Sequence, residues 1–108
     1  DIGIVSSIYE EFGFVAIELM MHQLPIIVTD TGGLSEIVED EVSGLKVPIN
    51  NDSKQRKVDT EILSTKIMQL IEHPDYARLI GENARKRFLE KYEIAVFRRK
   101  ILNLYQNN

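Results

Sequence analysis

Glu10-Glu11-Phe12-Gly13-Phe14-Val15-Ala16-Ile17-Glu18 sets two carboxylates, Glu10 and Glu18, at the ends of a short apolar run that opens with a glycine. Before it, Ile2-Gly3-Ile4-Val5 is a continuous apolar run, the pattern of a strand buried on both faces. Ser6 to Glu11 is polar and loop-like. After it the chain stays apolar through Phe14, Val15, Ile17, Leu19, Met20 and Met21, which predicts a helix packed on a sheet and covered again. Pro25 keeps the residue before it out of a helix, and Ile26-Ile27-Val28-Thr29 reads as a second buried strand. In this arrangement Glu10 lies in the turn before the helix and Glu18 on its second turn. The free N–H groups of Gly13, Phe14 and Val15 then point out of the helix N-terminus, where an anion is favoured.

The pattern continues downstream. Asp30-Thr31-Gly32-Gly33 predicts a turn, and Leu34, Ile37 and Val38 predict a short helix. Gly44 closes another turn, Leu45-Lys46-Val47 is a brief third strand ended by Pro48, and Asn50 to Lys57 reads as a polar loop. Three amphipathic helices follow. The first starts near Asp59 or Thr60, both competent N-caps, with Leu63, Ile67, Leu70 and Ile71 on one face. The second follows His73-Pro74-Asp75 and carries Tyr76, Ile80, Ala84 and Phe88. The third carries Ile94, Phe97, Ile101, Leu104 and Tyr105. The expected fold is α/β: a partial Rossmann-like three-layer unit with a short parallel sheet of about three strands and a C-terminal set of helices.

At 108 residues the chain holds one domain, 1–108, and enough surface for a real core. It begins at Asp1 and enters a strand at once, and a three-stranded parallel sheet leaves an edge to be covered. Both features lead us to expect a piece of a longer protein. The absence of cysteine rules out disulfides and thiolate metal sites. No apolar run reaches the ~20 residues of a membrane span. The net charge of −4 is unevenly spread. Residues 1–45 carry nine acids and no Lys or Arg, while the rest carries 13 bases and eight acids. An anion beside Gly13 would therefore need a cation from elsewhere.

These residues, in this order, resemble a family. Glu-x-Phe-Gly followed by a helix with Glu18, then Pro25, Ile27-Val28-Thr29-Asp30, Gly32-Gly33, Glu36-Ile37-Val38 and Gly44-Leu45-x-Val47 is similar to the C-terminal half of the retaining glycosyltransferases of GT-B fold. That class is marked by a Glu-x7-Glu motif, here Glu10 to Glu18. The resemblance covers about residues 1–48; the helical tail matches in general character. It implies that Glu10 hydrogen-bonds the donor sugar or sits beside its anomeric carbon, that Glu18 binds the ribose hydroxyls of the nucleotide, and that the amides from Phe12 and Gly13 to Phe14 and Val15 face the donor sugar and diphosphate. These roles suit the chemistry. A carboxylate accepts both hydroxyls of a vicinal diol, and a carboxylate near an oxocarbenium-like transition state stabilises its charge. Two departures stand out. Glu11 replaces the usual Gly, and Leu19-Met20-Met21 with Gln23-Leu24 replaces Ala-Met-Ala followed by a Gly.

The resemblance further implies a nucleotide-sugar donor as substrate, with no cofactor and no metal ligands. It implies a sugar, lipid or glycan acceptor held by an N-terminal domain upstream. The family's phosphate-binding Arg and Lys also lie upstream of the first strand here, so the chain alone should transfer nothing and bind nucleotide at millimolar strength or weaker. It places the protein in the cytoplasm and allows peripheral association of the full-length protein with the inner membrane face; the open sheet edge allows an edge-mediated dimer of this piece, and no nucleic acid is expected. The alternative is a non-catalytic α/β binding or nucleotide-sensing module that docks on a partner. His22 and His73 lack companions at metal spacing and read as structural. Arg85-Lys86-Arg87 and Arg98-Arg99-Lys100 read as solvated helix faces.

Overall fold

The computed structural model describes residues 1–6, 14–52 and 55–106. Strand β1 (Gly3–Val5), helix α1 (Phe14–Met21), β2 (Ile26–Thr29), α2 (Gly32–Ile37) and β3 (Leu45–Val47) build a parallel sheet in the order β1-β2-β3. In register, Ile4 stands beside Ile27 and Ile27 beside Leu45. All of β2 is buried, as a central strand covered on both faces must be. Its alternation divides the core in two. Ile26 and Val28 face one side with Val5, Ala16, Ile17, Met20, Leu34 and Phe88. Ile27 faces the other with Leu45, Val47 and Leu70. This is the three-layer α/β arrangement that the continuous apolar strands predict.

Helix α3 (Thr60–Glu72) covers the second face. Asp59 caps it, its Oδ1 accepting from the Ile62 N–H at 3.1 Å. Pro74 opens α4 (Pro74–Lys91), where a missing N–H costs nothing. The expected inward residues Ile80, Ala84 and Phe88 are buried, and α4 runs along α1. Helix α5 (Glu93–Gln106) follows. Of its apolar residues Val96 is buried, whereas Ile94, Phe97 and Leu104 are exposed, contrary to the inward face expected of them.

Two further readings are corrected. Asn50 to Lys57 is not a loop: β4 (Ile49–Asp52) and β5 (Gln55–Val58) pair antiparallel, with Ile49 opposite Val58 and Asp52 opposite Gln55. The pairing is made by backbone groups under side chains of low strand propensity, so it leaves no alternation to read. Val58 secures it against the α3-side core. Gly32 and Gly33 do not merely turn the chain but open α2, Gly32 at φ 45°.

Helix α1 ends in a Schellman turn. The Gln23 N–H donates to Met20 O at 3.0 Å and the Leu24 N–H to Leu19 O at 3.3 Å. Gln23 takes the left-handed position, φ 62°, where a glycine is usual.

Candidate functional site

Because the strands are parallel, their carboxyl ends at Val5, Thr29 and Val47 share one end of the sheet. Ligands of open α/β sheets bind outside that end, where loops lead into helix N-termini. Helix α1 starts there. It buries Ala16, Ile17 and Met20 and turns Phe14, Val15 and Glu18 outward: Phe14 is half-buried, Val15 is 58% exposed and Glu18 is exposed. Glu18 lies one turn beyond Phe14 and Val15, so the three share one face. Among the described residues the Glu18 carboxylate has no hydrogen-bond or ion-pair partner. Glu10, Phe12 and Gly13 lie outside the described residues, as does Glu11. The structure thus brings together Phe14, Val15 and Glu18 of the predicted set.

Beside α1, the end of β2 is tightly held. The Asp30 N–H donates to Val47 O at 2.8 Å, and the Thr31 N–H to Thr29 O at 2.9 Å. Thr29 and Thr31 are buried and Asp30 is exposed.

A cation at the first turn of α1 comes from the far end of the chain. The Arg99 guanidinium of α5 lies 4.2 Å from the centroid of the Phe14 ring. No local pattern announces this contact, since α5 meets α1 only through the tertiary fold. The other basic run also departs from a purely solvated face. The Arg87 Nε donates to Ile37 O at 2.6 Å and its Nη2 to Glu36 O at 3.0 Å, while an Arg85 Nη1 donates to Met21 O. These cations meet the carbonyl ends of α2 and α1, as the helix dipole favours.

His22 follows α1 and His73 joins α3 to α4, where its N–H donates to Gln69 O at 3.1 Å. Among the described residues no cluster of His, Cys, Asp or Glu could hold a metal ion. No helix among them is long and apolar enough to cross a membrane. A groove of about 450 Å³ opens at the opposite, amino end of the strands, between Ile2, Leu24, Pro25, Leu70, Pro74 and Ala77. It is lined mainly by apolar groups and none of the predicted site residues borders it.

An exposed carboxylate one turn from the start of a helix, at the carboxyl end of a parallel sheet, can accept hydrogen bonds from paired hydroxyls of a ligand lying across that helix start. Comparison with known proteins gives the family of the chain. Residues 1–87 match the family described as Glycosyl transferases group 1. A glycosyltransferase of Methanocaldococcus jannaschii is 34% identical over 107 residues, covering 98% of this chain and 25% of its own length. The solved sucrose-phosphate synthase of Thermosynechococcus elongatus is 33% identical with a TM-score of 0.76, over 98% of this chain and 25% of its own. The solved C-terminal domain of a group 1 glycosyl transferase from Francisella tularensis is 28% identical with a TM-score of 0.72, over 87% of this chain and 44% of its own. The chain spans about a quarter of the length of the first two.

Proposed function

This chain belongs to the glycosyl transferases group 1, with the GT-B C-terminal fold, and we propose that it forms the donor side of a retaining transferase that uses a nucleotide-activated sugar. Residues 1–108 are read as the later part of the C-terminal domain. In this reading Glu18 accepts the ribose hydroxyls, and the backbone amides around Phe12, Gly13, Phe14 and Val15 lie along the diphosphate. Glu10 stands by the anomeric carbon, where a carboxylate stabilises developing positive charge. The observation that carries the reading is the Glu18 carboxylate, exposed and unpaired among the described residues on the outward face of α1.

The acceptor, a sugar, lipid or glycan, belongs to the remainder of the protein. The reading places the reaction in the cytoplasm, at the inner membrane face where the acceptor is a lipid. Among the described residues β1 pairs with β2 alone, and its other edge, with Ile4 45% exposed, supports a second role in docking another strand, from the same polypeptide or from a second copy.

Glu18→Ala in the full-length enzyme should weaken nucleoside-diphosphate binding by about 1–3 kcal/mol, the cost of a lost charged hydrogen bond. Glu18→Gln should keep part of the affinity, because its amide oxygen still accepts. Calorimetric titration measures both, and an unchanged affinity in Glu18→Ala would rule out the ribose role. For the isolated chain, micromolar affinity for a sugar nucleotide would contradict the assignment of the phosphate-binding cations to the rest of the protein.

A further inference from the structure

Helix α5 lies on the domain by its less apolar side. Its period aligns Ile94, Phe97, Ile101 and Leu104 in one stripe, and Ile94, Phe97 and Leu104 are each at least 63% exposed. A helix ordinarily turns such a stripe to the core. Here the inward contacts come from Val96, which is buried, and from Arg99 one turn later, whose guanidinium stacks on Phe14.

The place of this cation is hard to assign to helix stability. A positive charge at the start of α1 has the wrong sign for the dipole of that helix. What the stack does is hold a ring. Phe14 is half-buried at the point where the Glu10–Phe14 stretch enters α1. A planar guanidinium over its face restricts the ring, and with it the first turn on which Val15 and Glu18 are carried.

We infer that Arg99 is a positioning residue for the donor site, acting through its stack on Phe14 to hold the start of α1 in the geometry that receives the nucleotide sugar. The inference rests on the donor-site reading given above. It concerns donor affinity and not the transfer step, so its signature is a change in donor KM at constant kcat.

The test uses the full-length transferase. Arg99→Ala should raise donor KM about two- to fivefold, the span of an exposed cation–π contact, with kcat unchanged. Arg99→Lys keeps the charge but not the plane and should recover only part of the loss. Val96→Ala, which thins the buried packing of the same helix, should lower Tm and leave donor KM unchanged. Phe14→Leu should also raise donor KM, and adding Arg99→Ala to it should raise it no further. Unchanged donor KM in Arg99→Ala, an equal rise in Val96→Ala, or additive effects in the double variant would each overturn the inference. Glu18→Ala in the same assay separates the two readings. If it too leaves donor binding unchanged, the donor-site reading falls; if it weakens binding while Arg99→Ala is silent, only the role of Arg99 falls.

Discussion

Arg87 on α4 donates its Nε proton to the carbonyl of Ile37, the last residue of α2, at 2.6 Å. Its Nη2 reaches Glu36 O at 3.0 Å, and Lys46 Nζ, from the middle of β3, reaches Ser35 O at 2.7 Å. Three successive carbonyls at the end of a one-and-a-half-turn helix are thus met by two cations from other elements. Such carbonyls have no partner within the helix, and a short helix has few internal bonds to hold it. Arg87→Ala should therefore lower stability by about 1–2 kcal/mol, since it leaves the part-buried Ile37 carbonyl without its charged donor while water can replace the guanidinium at the exposed Glu36 carbonyl. Arg87→Lys should recover less than half, because an ammonium cannot fork to two carbonyls as a guanidinium does. Urea denaturation of the three proteins measures this, and equal midpoints would show that water replaces the guanidinium at no cost.

The turn after α1 supplies a pair of opposed predictions. Gln23 holds a left-handed φ of 62°, and α4 crosses so near it that a Cβ on Gly81 would strike the Gln23 carbonyl oxygen. Gln23→Gly should raise stability by about 0.5–1 kcal/mol, the relief of left-handed strain less the greater backbone freedom of glycine in the unfolded chain. Gly81→Ala should lower it by about 1–3 kcal/mol, because the neighbour is backbone and one of two packed elements must shift. Helix propensity alone gives Gly81→Ala the opposite sign, a gain of roughly 1 kcal/mol. Thermal unfolding decides between close approach and propensity by the direction of the change.

These cases show what the chain makes legible and what it hides. Ile2–Val5, Ile26–Thr29 and Leu45–Val47 announce themselves because strands covered on both faces are apolar at every position. Asp59 announces the start of α3 because its cap is local. Spacing within one helix likewise places Phe14, Val15 and Glu18 on a common face. Contacts between distant residues leave no such mark. Arg87 and Ile37 are 50 residues apart, and a basic run on a helix looks the same whether it meets water or a carbonyl. For α5 the period gives the stripe of Ile94, Phe97, Ile101 and Leu104 but not its direction, and the structure turns Ile94, Phe97 and Leu104 outward and leaves Ile101 half-buried. The same reversal brings Arg99 to Phe14. The β4–β5 pair is hidden for another reason: only Ile49 and Val58 at one end of it carry the apolar signal of a strand.

Alkaline pH offers a test of the other side of the sheet. Tyr76, on α4, packs half-buried against the α3-side core. Burial raises its phenol above the usual 10.0, and the carboxylates of Glu41 and Asp40 push it the same way. The folded chain thus holds this proton more firmly than the unfolded chain does. The stability it contributes is fully present below pH 10.0 and is lost as pH rises through the folded pKa. Tyr76→Phe keeps the ring and removes the titrating group. Its urea midpoint should therefore fall less steeply than that of the wild type above about pH 9.5, with the two curves parallel below about pH 9. Glu41→Gln removes part of the repulsion that raises the phenol, so its alkaline curve should lie between the other two. The same alkaline slope in wild type and Tyr76→Phe would show that the Tyr76 proton is held no more firmly in the folded chain than in the unfolded one.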